Sequence, residues 1–233
     1  MRDKIIPYHE MCRQQEQSSL QRGMNYRLRD RYSVILMSVR PNAPYRDVVA
    51  EEGAVIIYEG HDVPRTKSGL DPKLVDQPEF LPSGSLTQNG KFHRAAEVYK
   101  AEKRDPDLVR VYEKIKQGIW SDNGYFHLVD SWIEHDGTRQ VFKFKLIAVA
   151  ESEVSDEPTR RAKDSSRGGR VIPTKVKVAV WQRDGGKCRV CGAPDDLHFD
   201  HVIPFSKGGT STRVENIQLL CGRHNIQKSA RIE

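Results

Sequence analysis

The side chains best able to do chemistry gather near the C-terminal end of this 233-residue chain. Cys188 and Cys191 stand in CRVC, and Cys221 and His224 in CGRH, so two pairs with the same two-residue gap flank a segment of about 30 residues. Two ligands spaced in this way can both reach one tetrahedral ion, and a second pair completes its coordination, which points to a Cys3His zinc site. The competing reading is a set of reduced, buried thiols. Three of the four cysteines fall in the last quarter of the chain, and in a reducing compartment such a cluster favours metal ligation over disulfides. Cys12 stands alone in a polar, Gln-rich, helical stretch and reads as a plain free thiol. Between the pairs, DHVIPFSKGG sets an acid beside an imidazole, Asp200 and His201, ahead of the Gly208-Gly209 turn. Taken alone, that doublet is most simply a hydrogen-bonded surface pair.

It does not stand alone. Asn216 follows in ENIQLLC, and Asn225 comes directly after the last candidate zinc ligand. The order DHVIP…KGG…ENIQLLC…HNIQK resembles the HNH (ββα-metal) endonuclease family over about residues 175–231. The resemblance implies a β-hairpin and a helix that grip one divalent cation, with the zinc knuckle stapling hairpin to helix. His201 then matches the general base that activates water against a phosphodiester. Asp200 and Asn225 match the ligands of a catalytic Mg²⁺ or Mn²⁺, and Asn216 matches the asparagine that fixes the hairpin loop and helps orient the base. The residue types suit these roles. A neutral imidazole, with a pKa near ~6.5, accepts a proton at neutral pH. Carboxylate and amide oxygens suit a hard cation and leave positions for phosphate and water. Lys228 shares a helix face with Asn225 and is expected to meet a DNA phosphate. Two positions depart from the commonest pattern. His198 stands where many members carry an acid, which leaves open a supporting or a DNA-contact role. His224 stands where a fourth cysteine is usual, and a rival register would make it the catalytic metal ligand; the repeated gap from Cys221 favours zinc.

These groups need elements to position them. PTKVKVAVWQRDGGKC reads as a short helix begun at Pro173 and stopped by Gly185-Gly186. Before it, ESEVSDEPTRRAKDSSRGGRVI is poor in apolar residues and passes from acidic to basic, as a solvated tether would. The chain therefore divides into an N-terminal domain 1–150 with its core at about 30–150, a linker 151–172, and a C-terminal domain 173–233. The last is too small to rest on an apolar core, so zinc would supply much of its folding energy. Upstream, YSVILMSV (32–39) and AVIIYEG (54–60) read as strands, and 61–91 as a loop-rich excursion of the binding kind. FHRAAEVYKAEKR (92–104) reads as a helix. LVRVYEKI, YFHLVDSWIE and TRQVFKFKLIAVA follow as strands, the last two joined through an HDG turn. In VFKFKLI, Phe142, Phe144 and Leu146 alternate with Lys143 and Lys145, which predicts one buried and one basic sheet face.

The stretches YSVILMSV, AVIIYEG, GSLTQNGKF, LVRVYEKI and GYFHLVDSWIE…RQVFKFKL resemble the SRA-like family of modified-base readers. That resemblance implies a modified cytosine flipped from the duplex and held between aromatic rings, with a polar group for its edge. Tyr45 and Asp47, in APYRDVV, and Tyr58, in IIYEG, fall roughly where those pocket residues would lie. Packing or surface roles compete for all three, because a one-residue slip on a strand turns a side chain away. His61-Asp62 lacks the knuckle and asparagines of the other pair and reads as loop. Trp120 and Trp132 read as core or sheet-face residues. RTKSG and the lysines of KFKLI either follow phosphates or solvate a sheet face.

The expected fold class is α+β: a β-rich SRA/PUA-like N-terminal domain and a small zinc-bound ββα-metal domain. The expected function is a modification-dependent restriction endonuclease acting on double-stranded DNA with 5-methylcytosine or a related base, using structural Zn²⁺ and catalytic Mg²⁺ or Mn²⁺. One centre hydrolyses one strand, so a double-strand cut implies a homodimer or two nicks. The alternatives are an HNH nuclease reading unmodified DNA and a non-catalytic, zinc-stabilised DNA-binding protein. A formal charge of +6 favours an anionic partner. No apolar run approaches the roughly 18 residues that cross a bilayer, and MRDKIIPYHEMCRQQ lacks the apolar core of a signal peptide. The expectation is a soluble, cytoplasmic protein with no membrane partner.

Overall fold

A computed structural model describes residues 3–20, 23–29, 31–40, 43–64, 69, 71–150 and 171–229. The apolar, β-branched runs become strands: β3 (Tyr32–Met37), β5 (Val55–Glu59), β6 (Asp107–Lys116), β7 (Ile119–His135) and β8 (Gln140–Ala148). To these the fold adds β1 (Lys4–Pro7), β2 (Met24–Leu28) and β4 (Val48–Ala50), together with α1 (Tyr8–Gln14) and α2 (Gln88–Lys100). The C-terminal part contributes α3 (Thr174–Arg183), β9 (Leu197–His201), β10 (Ile217–Cys221) and α4 (Gly222–Lys228). Among the described residues no helix is long and apolar enough to cross a membrane.

All ten strands among the described residues belong to one sheet, and β7 is where it forks. One edge of this 17-residue strand pairs with β6, which runs on to β3 and β2. Its other edge is shared end to end. Residues 119–122 pair with β1, and 126–135 pair with β8, which leads to β5 and β4. On its far side β1 meets β9, through Lys4 opposite His198, and β9 pairs with β10. The sheet thus continues from the N-terminal part directly into the hairpin that carries Asp200 and His201.

The main core packs Phe92, Ala95 and Ala96 of α2 against Ile35, Ile56, Val111, Phe126, Phe142 and Phe144 of the sheet. Phe92 meets Phe144 edge-on with centroids 5.8 Å apart. α2 starts four residues earlier than the apolar spacing suggests, because the Thr87 hydroxyl caps it, accepting from the Gly90 N–H at 3.1 Å. The alternating face of β8 is also more than a basic surface. Phe142, Phe144 and Leu146 are buried as expected, but Lys143 is buried too, its ammonium 2.9 Å from Glu59 on β5. A second core joins Ile172, Val176 and Val180 to Leu197, Phe199, Ile217 and Leu219. Of the expected linker, residues 151–170 lie outside the described residues. Val171 and Ile172 are fully buried, the first in the main core and the second in the C-terminal one.

Candidate metal centre and active site

β9 and β10 form an antiparallel hairpin in the register His201↔Ile217, Asp200↔Gln218 and Cys221↔Leu197, and α4 follows β10 without a break. This is the expected ββα arrangement. The turn after α3 places Cys188 and Cys191 beside the β10–α4 junction. There the four ligand atoms of Cys188, Cys191, Cys221 and His224 lie within 4.8 Å of one another. His224 Nδ1 is 3.5 Å from Cys188 Sγ and 3.2 Å from Cys221 Sγ, and Cys191 Sγ is 3.9 Å from Cys221 Sγ. A zinc tetrahedron with ~2.3 Å Zn–S bonds has edges of about 3.8 Å, so donor type and spacing both fit that ion. Burial raises the Cys188 thiol, but N–H groups of Cys221, Cys191 and Val190 outweigh it and bring its pKa down to about 6, toward the thiolate a metal needs. His224 falls within this cluster, as the two-residue gap from Cys221 indicated.

At the other end of the hairpin, His201 is held by the loop that joins the two strands. Its Nε2 is 2.9 Å from the hydroxyl of Ser211, a buried residue. Burial keeps the imidazole below its usual pKa against the pull of Asp3 and Asp200, so it is neutral at pH 7. Asn216 clamps both ends of that loop. Its Oδ1 accepts from the Ile203 N–H at 2.8 Å, and its Nδ2 donates to the Ile203 carbonyl at 3.1 Å and the Thr210 carbonyl at 2.9 Å. Gly209 is required here, since a Cβ at that position would lie 1.8 Å from the Ile203 carbonyl oxygen. Asn216 therefore acts on the loop backbone, which positions His201 through Ser211.

Lys228 is not on the surface. It is 2 % exposed, and its ammonium lies 2.9 Å from Asp200 Oδ2 and donates to the His201 carbonyl at 2.6 Å. The expected phosphate contact is corrected: the long aliphatic stem is buried between α4 and β9, and the charge faces the Asp200 carboxylate. Asn225, one turn earlier on α4, is half-buried. His198 is buried beside Asp196, with Nε2 3.6 Å from its carboxylate, which excludes a DNA contact. Ser211 carried no signal in the sequence, because nothing local ties a loop serine to a histidine ten residues earlier.

The N-terminal part holds a second polar assembly. Tyr45 faces His61, with ring centroids 6.2 Å apart and planes 24° from parallel. The Lys73 ammonium lies 4.0 Å from the Tyr45 centroid and 2.8 Å from the Asp62 carboxylate. His61 Nε2 accepts the Met24 N–H at 2.9 Å, and burial takes its pKa down to about 4, so the ring is locked neutral. Beneath it the buried Arg139 donates to Asp62 at 2.5 Å and to the Pro72 and Val75 carbonyls at 2.6 and 3.1 Å, tying loop and sheet together. Tyr58, the expected second aromatic wall, is instead a core residue, 1 % exposed, with no face to offer. Asp47 is nearly buried, and its carboxylate accepts the Glu59 N–H at 3.0 Å and the Ser38 N–H at 3.3 Å, which makes it a loop staple. Its pKa is pushed up to about 7 by burial. His61 lies in the loop that follows β5, separated from the strand by Gly60, as its sequence suggests. In the basic stretch RTKSG, residues 65–68 lie outside the described residues.

No curated protein matches this chain in sequence. Among solved structures, the chain is similar to the SUVH5 SRA domain in complex with hemi-methylated CG DNA, at 23 % identity over 63 % of this chain and 86 % of that one, with a TM-score of 0.42. It is also similar to a modification-dependent restriction endonuclease, TagI, at 18 % identity over 97 % of this chain and 76 % of that one, with a TM-score of 0.45. The segment holding the Cys3His cluster, the His201 loop and α4, residues 188–231, matches the HNH endonuclease family.

Proposed function

We propose that this protein is a modification-dependent DNA endonuclease whose C-terminal module hydrolyses a phosphodiester and whose N-terminal part reads a modified cytosine in duplex DNA. The observation that supports the nuclease reading is Asp200 and His201 on a strand joined to α4 through Lys228, in the same hairpin whose other end bears a cluster suited to zinc. Cys188, Cys191, Cys221 and His224 would hold Zn²⁺ and fix the hairpin against the helix. Asp200 and Asn225, both oxygen donors, would hold Mg²⁺ or Mn²⁺, which when bound supplies charge stabilisation at the phosphoryl oxygens. The protein's own groups do the rest. In the tautomer that donates Nε2–H to Ser211, His201 would have its Nδ1 lone pair for a water. As the water oxygen bonds to phosphorus, that nitrogen takes its proton and the ester oxygen departs, protonated by solvent. Lys228 holds Asp200 in place through its ammonium.

The reader half rests on the Tyr45–His61 slot. The two rings lie 24° from parallel with centroids 6.2 Å apart, and aromatic faces of this kind are what a flipped base stacks on. A planar base stacked on these rings would also meet the Lys73 ammonium, which lies over the Tyr45 ring at 4.0 Å and pairs with Asp62. In this reading His61 takes the place first given to Tyr58. A double-strand break then needs a homodimer or two successive nicks.

The test is a digest of matched duplexes carrying cytosine, 5-methylcytosine or 5-hydroxymethylcytosine, with Mg²⁺ or Mn²⁺. The expected result is cleavage of a modified duplex and sparing of the unmodified one; equal digestion of all three would overturn the reader assignment. His201→Ala is expected to abolish cleavage and keep DNA binding. Cleavage surviving that change would remove His201 as the base.

A further inference from the structure

A linker rich in charge suggests a nuclease swinging on a tether, but the contacts between the two parts are those of a single folded unit. Asp3 and β1 lie between them. The Asp3 N–H donates to the Asp122 carbonyl at 2.6 Å on β7, and the Asp3 carbonyl accepts the Phe199 N–H at 3.0 Å on β9, directly before the Asp200-His201 pair. Side chains alternate accordingly: Ile5 packs into the C-terminal core and Ile6 into a core with Met11, Val34 and Tyr112. Lys4 adds an ion pair of 2.8 Å to Asp196. At the other end of the junction, the Val171 N–H donates to the Gly53 carbonyl at 2.9 Å, and the next residue is already in the nuclease core.

The centre of this junction is Lys177 on α3, whose side chain is wholly buried. Its ammonium lies 2.6 Å from Asn123 Oδ1, 2.9 Å from Ser121 Oγ, 3.2 Å from Glu113 Oε2 and 3.2 Å from Asp3 Oδ1. All four partners belong to the N-terminal part. Asn123 in turn donates to Glu113 Oε2 at 3.0 Å, and the Thr174 hydroxyl donates to Glu113 Oε1. A buried ammonium with four oxygen partners tolerates little displacement, because any shift strands charges in a low-dielectric interior.

We propose that Lys177 and β1 lock the nuclease centre to the base slot as one rigid body, so that the cut falls at a fixed distance from the modified base, with Lys177 as the positioning residue. This rests on the reader assignment above. A free flexible tether the length of residues 151–170 would instead let its ends wander by roughly 25 Å, or about seven base-pair steps.

The experiment uses an end-labelled duplex with one 5-methylcytosine and three full-length proteins: wild type, wild type with ten Gly/Ser residues inserted after Arg160, and Lys177→Met. The expected result is one dominant cut position for the wild type, the same position for the insertion variant, and cuts spread over several base pairs for Lys177→Met. A shifted or broadened pattern from the insertion variant would overturn the rigid-body proposal whether or not Lys177→Met folds. A folded Lys177→Met protein with the wild-type pattern would overturn the role of Lys177. Equal cutting of an unmodified copy would overturn the reader reading alone; rigidity is then read by small-angle scattering, where the insertion leaves the maximum dimension unchanged if the parts are docked and enlarges it if they are not.

Discussion

Removing the amide of Asn216 should disarm His201 without touching it. Asn216→Ala deletes three hydrogen bonds of 2.8, 2.9 and 3.1 Å to the backbone of Ile203 and Thr210. At about 1 kcal/mol each, less what water recovers at the half-exposed Ile203, the loop loses about 2–3 kcal/mol. That raises the population of open loop by a factor of order 100 and frees Ser211, the group bonded to the His201 ring. Asn216→Asp is the sharper variant. Its one oxygen keeps the Ile203 N–H, but the other becomes an anion facing two carbonyl oxygens where the amide donated to both. It should therefore be no better than alanine at pH 8 and recover partly as acid protonates the carboxyl, while alanine shows no such recovery. Single-turnover nicking is the assay, alongside DNA binding and thermal unfolding of the zinc-loaded protein. A fall in rate of roughly 10- to 100-fold with unchanged DNA affinity is expected. Wild-type nicking by Asn216→Asp at pH 8 would show that the loop clamp does not orient His201.

Other outcomes follow from the same geometry. Chelation, or Cys221→Ser, should strip a stoichiometric zinc detected by native mass spectrometry and melt the hairpin, since structural zinc sites contribute roughly 10–16 kcal/mol; cooperative unfolding of the C-terminal module unchanged by chelation would contradict the cluster's role. Tyr45→Ala and His61→Ala should each weaken binding to modified duplex by about 1–3 kcal/mol, the worth of one base–aromatic stack, and leave binding to unmodified DNA unchanged; equal losses on both duplexes would place these rings outside the base site. Asp47 holds its proton in the fold up to about pH 7 but in the unfolded chain releases it near 3.8, so its contribution to stability falls as pH rises between those values and is flat above them. From pH 5 to pH 8 the wild type should lose about 2–3 kcal/mol relative to Asp47→Asn, measured by denaturant unfolding; a pH-independent gap would contradict the burial argument.

The division between what was legible in advance and what was not follows the range of the interactions. The Cys3His spacing, the ββα order and strands β3, β5, β6, β7 and β8 were readable because each depends on neighbours within a turn, a hairpin or an apolar run. Asn216 was readable as a loop clamp only through resemblance; its partners Ile203 and Thr210 are given by the folded hairpin. Tyr58 on β5 is turned into the core by its pairing with β8, whereas His61, beyond the strand, is set against Tyr45 by hydrogen bonds to Met24 and Asn89 that no local pattern shows. Lys228 reads as a surface cation because lysine is seldom buried, yet the hairpin supplies a carboxylate and a carbonyl that make burial tolerable. The chain alone thus made legible the Cys3His cluster and the place of the Asp200-His201 pair in a ββα hairpin. Only the tertiary structure decided that β1, nearly two hundred residues away, would insert beside that pair and join both parts in one sheet, because strand pairing at such separation is selected by the whole core and leaves no mark in a local pattern.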